Sequence, residues 1–407
     1  MIEFLTELKS RDLLAQIVHE EELTEHLSES RTCYVGFDPT ADSLHVGHLL
    51  PALNLKRWQM AGGKVICLVG GGTGYIGDPT GKTEMRKMLT ESHIEENIKN
   101  IKKQLASVID LENPEKGILV NNADWLKSIN YLEFLRDFGP HFNVNKMLAA
   151  ECYKQRMADG LTFLEFNYML LQSYDFYHLY QNFDCTIQLG GDDQWSNMLG
   201  GVALVRKLSQ QKAFCITSPL LTNSEGKKMG KTESGAVWLD PNKTSPYDFF
   251  QYWRNTADAD VVKCLKFMTF VPMEEVDRLA TFIGKDINQA KERLAFEVTK
   301  IVHGEDEANK CLDQAKSVFA KGSAGADAPV VKISAQKLGN GIDIITLMDL
   351  GQIIKTRSEA RRLIQQGGLS INGEKVLEID HQVTPQMLEK EFVLKKGKKK
   401  FFKIEIE

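Results

Sequence analysis

The stretch Tyr-Val-Gly-Phe-Asp-Pro-Thr-Ala-Asp-Ser-Leu-His-Val-Gly-His, residues 34–48, constrains this chain more than any other. Thr32 to Phe37 is rich in β-formers, and Asp38-Pro39 breaks the strand it predicts. Asp42 or Ser43 then caps a helix over roughly His45 to Met60. A helix start turns unpaired N–H groups and a partial positive charge outward, which suits an anion. His45 and His48, three residues apart on the first turn, add donors in the same direction, and Gly47 leaves room for a flat ligand. A capped surface helix with two incidental histidines is the competing reading, and spacing alone leaves the two balanced. Zinc is disfavoured, because a pair four residues apart and a third ligand are both missing.

After Gly62-Gly63 as a helix stop, Lys64 to Val69 reads as a second strand. Strand, helix, strand opens a parallel sheet with crossovers. The glycine-rich loop from Gly70 to Thr83 imitates two nucleotide motifs and satisfies neither. Gly72, Gly74 and Gly77 have dinucleotide-fingerprint spacing, but Asp78-Pro79 stands where a helix should open. Gly81-Lys82-Thr83 ends like a phosphate loop, yet Ile76 occupies a required glycine position. The choice lies between a flexible surface loop and one brought close to a ligand; we favour the second, with Asp78 facing an ammonium group.

The pattern continues with a charged helix over 91–110, a strand over 117–121 and helical segments over 131–138 and 144–157. Thr162 to Phe183 predicts a buried helix, apolar nearly all round except for Tyr168, Gln172 and Asp175 on one stripe. Buried polar groups need partners, either an internal network or a small polar ligand. Strand Cys185 to Leu189 ends in Gln188-Leu189-Gly190-Gly191-Asp192-Asp193-Gln194-Trp195. Ligands in open α/β sheets bind at the carboxyl ends of strands, which puts Gln188, Asp193 and Gln194 in the crevice of His45. A strand over 213–217 leads to the lysine-rich loop Asn223 to Thr232, suited to a polyphosphate. Residues 245–320 read as helical, 322–329 as a linker by composition, and the end as a small module with a basic segment.

Bulk properties narrow the class. A chain of 407 residues predicts two or three domains. No run of eighteen apolar residues occurs, and the seven scattered cysteines include no Cys-x-x-Cys, so membrane spans and disulfide frameworks are not expected. With no signal-like start, the expected location is the cytoplasm. Net charge is −5, but 341–407 is locally positive, so any nucleic-acid contact should concentrate there.

His45-Val46-Gly47-His48 and Lys228-Met229-Gly230-Lys231-Thr232 resemble the two signatures of class I aminoacyl-tRNA synthetases, in the expected order. Tyr34, the Gly190–Trp195 block and the Tyr168/Gln172/Asp175 stripe narrow the resemblance to the bacterial tyrosyl-tRNA synthetase family, over nearly the whole chain. The C-terminal portion resembles the S4 RNA-binding domain. The resemblance implies an α/β, Rossmann-like parallel-sheet catalytic domain over 1–222. A lysine-rich loop and α-helical anticodon-binding domain over 223–321 follow, then a linker over 322–340 and a small α+β S4-like domain over 341–407.

It also implies roles. Tyr34 and Asp175 would bond the tyrosine phenol; Asp78, Tyr168 and Gln172 its ammonium group, with Gln188 and Gln194 beside the amino acid. Gly36, Asp38, Gly47, Gly190 and Asp193 would bind ATP. Thr40, His45, His48, Lys228, Lys231 and Thr232, with Lys82 and Arg86, would serve the phosphates. Arg361, Arg362, Lys395, Lys396 and Lys398 are the candidate tRNA contacts. ATP would be a substrate with Mg2+, with no tightly bound cofactor, no protein metal site and no protein nucleophile. Tyrosine and tRNA(Tyr) would be the other substrates of a homodimer. Asp192, Leu164 and Met229 depart from the family's usual residues. None is expected to touch a substrate contact, although Asp192 would add negative charge near the nucleotide. A P-loop or NAD enzyme and a non-catalytic RNA-binding protein are the competing classes.

Overall fold

The computed structural model describes the chain apart from residues 30, 81–88, 233–234, 321–328, 340, 355, 389–391, 398–399 and 407. Two compact units form, Met1–Ala308 and Asn309–Glu407.

The larger unit is built on a six-stranded sheet. Its strands are β1 (Gln16–Ile17), β2 (Thr32–Phe37), β3 (Lys64–Val69), β4 (Gly117–Asn121), β5 (Cys185–Gly191) and β6 (Phe214–Ser218). Their order is β1-β6-β5-β2-β3-β4. All pairs are parallel except β1 against β6. The chain winds from β2 outward through β3 and β4, then returns to build β5 and β6 on the other side. The switch in direction lies between β2 and β5, where an open parallel sheet leaves a crevice at its carboxyl edge. Strands buried on both faces read as continuous apolar runs, as Val65 to Val69 does.

The edge strand β1 was not expected; the sequence from 4 to 30 reads as one helical lead-in. The structure splits it into helices Ile2–Ser10 and Glu20–His26 around β1. Asp12 and His19, both at positive φ, end and begin these helices, which a continuous helix does not permit. The buried helix likewise divides, into Phe163–Phe166 and Tyr168–Phe183. Thr162 and Glu165 form a reciprocal capping box, and Glu165 also meets Arg156 at 2.9 Å in a buried pair. Residues 144–157 form two helices, Val144–Leu148 and Glu151–Asp159.

Beyond β6, helices Pro246–Arg254, Val261–Met268, Met273–Ala280 and Ile287–His303 complete this unit. In the smaller unit, Val330–Ile333 pairs in parallel with Lys400–Ile406 in a five-stranded sheet. Its core includes Ile333, Ile345, Leu347, Phe392 and Ile404. Residues 330–333, placed in the linker over 322–340, therefore belong to the folded module; Val331 packs against its core and Ile333 is part of it.

Candidate functional site

The crevice at the carboxyl edge of β2 and β5 holds a cavity of about 380 Å³. Tyr34, Gly36, Asp38, Thr40, His45, Gly47, His48, Asp78, Tyr168, Gln172, Asp175, Gln188, Gly190, Asp193, Gln194 and Lys228 all line it. Lys231 and Thr232 enter a two-stranded ribbon with Gly235–Ala236 and are described as backbone only. Lys82 and Arg86 fall outside the described residues.

At one end of the cavity, the wall is polar and buried. Asp175 is 1% exposed. Its two oxygens accept from Asn122 Nδ2 at 2.8 Å and from Trp125 Nε1 at 2.7 Å. Burial raises its carboxyl to about 7, against the pull of these two donors, and the charge of Asp38 pushes the same way as burial. Tyr34 lies beside Phe176 with its hydroxyl buried and without a partner among the described residues. Burial, then the charge of Asp175, holds its phenol well above the usual range. Gln172 Oε1 and Gln188 Oε1 are likewise buried and unpartnered. An unsatisfied buried acceptor or donor costs about 1–3 kcal/mol, so a wall carrying three of them is built for a polar occupant.

Next along the wall, Asp38 accepts from Thr73 Oγ1 at 2.8 Å and Tyr168 Oη at 2.9 Å. Asp78 accepts from Gln194 Nε2 at 2.8 Å and from the Thr80 N–H at 3.0 Å. Asn197 holds the Gln194 carbonyl at 3.1 Å. The glycines after β3 serve this network. A Cβ on Gly70 would fall 2.1 Å from Asp38 Oδ1, and one on Gly71 would fall 2.2 Å from Asn121 Oδ1. The loop's glycine density thus reflects side chains pressed onto its backbone.

The other end is a helix start. The helix runs Val46–Met60 with His45, rather than Asp42 or Ser43, as its cap. His45 Nδ1 accepts the Gly47 N–H at 3.0 Å, and His48 Nδ1 accepts the His45 N–H at 3.2 Å. The expected caps are engaged elsewhere, Asp42 with Lys243 at 2.5 Å and Ser43 with Gln104. The two imidazoles lie with centroids 4.0 Å apart and their planes tilted by 34°. Across from them, Lys228 pairs with Asp193 at 3.2 Å and is 62% exposed.

Two departures find their places. Asp192 Oδ1 accepts from Gln16 Nε2 at 2.6 Å and Thr217 Oγ1 at 2.9 Å, so its charge is directed to the β1–β6 edge and not to the cavity. Met229, expected away from the contacts, lines the cavity, its sulfur 3.8 Å from Cys264 Sγ. Sequence reasoning missed Asn122, Trp125, Thr73 and Asn197. The signal for Asn122 was available, because it follows the carboxyl end of β4, and Gln188 lies in the carboxyl half of β5.

In the smaller unit, Arg361 and Arg362 are exposed on helix Arg357–Gln365. Lys395 lies over the Phe401 ring. Lys396 is engaged internally, with Glu359 and the Ile353 carbonyl both at 2.7 Å. Lys398 is outside the described residues.

Residues 27–320 match the family described as tRNA synthetases class I (W and Y), and residues 322–404 match the tyrosine–tRNA ligase SYY-like C-terminal domain. Tyrosine–tRNA ligase 1 of Clostridium acetobutylicum is 53% identical over 409 residues, covering 100% of both chains. The chain belongs to the tyrosine–tRNA ligase family of class I tRNA synthetases. Another ligase of this family, from Acetivibrio thermocellus, is 52% identical over 98% of each chain. The crystal structure of a C-terminally truncated Aspergillus nidulans mitochondrial tyrosyl-tRNA synthetase superposes with a TM-score of 0.68 at 31% identity. It covers 78% of this chain and 94% of its own.

Proposed function

We propose that the cavity joins tyrosine to ATP and that the enzyme then charges tRNA(Tyr). The tyrosine carboxylate attacks the α-phosphorus of ATP; the new P–O bond forms, the bond to the bridging oxygen breaks, and pyrophosphate leaves. A hydroxyl of the tRNA's terminal adenosine then attacks the activated carbonyl, and AMP departs. The observation that carries this reading is the buried wall where Tyr34, Gln172 and Gln188, beside the Asp175 carboxyl, have unmet hydrogen bonds that suit a phenol and an ammonium group at opposite ends of one ligand.

Tyr34 and Asp175 take the phenol, while Asp78, Tyr168 and Gln172 take the ammonium group, with Gln188 and Gln194 alongside. Gly36, Asp38, Gly47, Gly190 and Asp193 border the nucleoside. Thr40, His45, His48 and Lys228 face the phosphates, and Lys231, Thr232, Lys82 and Arg86 are assigned to the same phosphates. No side chain has to act as nucleophile, because positioning and donors aimed at developing charge suffice for such a displacement. Magnesium enters with the phosphates of ATP; among the described residues no group of three His, Cys, Asp or Glu forms a separate metal cage.

Arg361, Arg362 and Lys395 are the tRNA contacts we favour. The homodimer has support in a shallow apolar depression lined by Val144, Leu148, Met157, Phe163 and Phe166, with Phe163 69% exposed. Sedimentation of the purified protein tests it. The cytoplasm fits seven buried cysteines, all free. Tyrosine-dependent ATP–pyrophosphate exchange tests the central reading, and exchange driven equally by any amino acid or by none overturns it. For tRNA, Arg361→Ala with Arg362→Ala should leave exchange unchanged. The salt dependence of tRNA binding should become shallower by roughly one for each phosphate interaction removed.

A further inference from the structure

The helix that begins at His45 carries a second polar feature two turns further on, outside the roles assigned above. Asn54 and Arg57 are buried, at 4% and 3% exposure. Arg57 has no carboxylate partner among the described residues. Its guanidinium donates to Asn54 Oδ1 and to the carbonyls of Phe267 and Thr269, each at 3.0 Å. Those carbonyls end helix Val261–Met268, where the partial charge is negative and a buried cation is best tolerated.

That hydrogen bond fixes Asn54. Arginine donates and never accepts, so the Asn54 carbonyl must face Arg57 and its amide must face the other way. Asn54 Nδ2 accordingly donates to Ser218 Oγ at 2.8 Å. The hydroxyl, having accepted there, turns its own proton to the Gly190 carbonyl at 3.4 Å. Ser218 and Gly190 stand at the ends of neighbouring strands, at the cavity wall. Just beyond Ser218 the lysine loop is tied down, with the Met229 N–H on the Leu221 carbonyl at 2.8 Å and Thr222 bridged to Lys228. One directed chain, Arg57 to Asn54 to Ser218 to Gly190, therefore joins the histidine helix to the base of the lysine loop and the nucleotide wall.

We propose that Asn54 is a positioning residue for the nucleotide half of the reaction, setting the distance between the His45/His48 turn and the Lys228 loop. It touches no substrate, and none of its partners belongs to the tyrosine wall. The inference rests on the reading of the cavity as an ATP site.

The informative variant is Asn54→Asp. A carboxylate keeps the acceptor facing Arg57 and adds an ion pair, so the fold is retained, but it cannot donate to Ser218. The hydroxyl must then turn toward the introduced carboxylate and release the Gly190 carbonyl. Displacements of this kind in a reacting geometry cost up to about a hundred-fold in rate. We expect single-turnover adenylate formation to fall about ten-fold or more at saturating tyrosine, with the tyrosine Kd within about two-fold of wild type and the melting temperature not lowered. Ser218→Ala should give the same split, and the double variant should be no slower than the worse single one, because both cut one chain. Unchanged adenylate kinetics in Asn54→Asp, tyrosine and ATP affinities that weaken together, or additive effects in the double variant overturn the assignment. Wild-type protein without tyrosine-dependent exchange overturns the reading of the cavity itself, which keeps the two failures distinct.

Discussion

The two ends of the cavity differ in how their polar groups are held. On the amino-acid side, Asp175 and Asp78 are each held by at least two donors, and Tyr34 of β2 sits 1% exposed against Phe176 of the buried helix. On the phosphate side the groups are half-buried histidines on one helical turn and a lysine 62% exposed in a loop. The first arrangement suits choosing among ligands, because a wrong occupant leaves buried groups unpaired. The second suits following a charge that moves during reaction, because its donors sit on a half-buried helix turn and on an exposed loop lysine whose ion pair with Asp193 is weak.

Removing His45 should give the largest effect. His45→Ala loses a donor aimed at the phosphates and is expected to slow adenylate formation by about 10²-fold or more, on the scale of lost oxyanion donors. Single-turnover kinetics with a separate tyrosine titration measure it. A weaker tyrosine Kd at an unchanged rate would merge the two ends into one.

Acid should weaken the amino-acid end selectively. Asp175 titrates near 7 in the folded protein, against an ordinary value of 3.8. Below about pH 7 it takes up a proton and no longer accepts the phenol as a carboxylate. Tyrosine affinity should therefore fall as pH drops from about 8 to about 6, by up to about ten-fold per unit where protonation is complete. Stability runs the opposite way: between 3.8 and about 7 the folded chain holds this proton and the unfolded chain does not. This group therefore lowers stability as pH rises through that window. Asp175→Asn should flatten both trends, and a flat tyrosine Kd in the wild type from about pH 6 to about pH 8 contradicts the role.

A smaller effect is expected from Tyr34→Phe. Losing one hydrogen bond worth about 1 kcal/mol should reduce discrimination of tyrosine over phenylalanine about five-fold, read as the ratio of kcat/KM values. The free protein should be no less stable, since its hydroxyl has no partner to lose among the described residues. Smallest of all is the Lys228–Asp193 pair. With its lysine exposed it should contribute less than about 1 kcal/mol to folding, so Lys228→Ala should barely move the denaturation midpoint while still slowing adenylate formation.

Much of this contrast was legible in the sequence because periodicity and strand ends carry it. The apolar helix with one polar stripe placed Tyr168, Gln172 and Asp175 together, and the rule of carboxyl strand ends added Gln188 and Gln194 to the wall of His45. What escaped depends on contacts between distant segments. Trp125 and Asn122 reach Asp175 from about fifty residues away in the chain, and a tryptophan in a short helix gives no sign of its partner. The cap at His45 was missed because histidine is an unusual cap, while Asp42 and Ser43 fit the common pattern. The edge strand Gln16–Ile17 is two residues long, too short for alternation to register.

The account stands on the separation of choice from chemistry, and a crossed comparison of Tyr34→Phe and His45→Ala tests it most directly. Tyrosine Kd and the single-turnover rate of adenylate formation would be measured on both variants and on wild type. The prediction is a crossing: Tyr34→Phe weakens tyrosine binding with the rate nearly kept, and His45→Ala loses about 10²-fold in rate with the Kd nearly kept. Both variants shifting both quantities in the same proportion would contradict it.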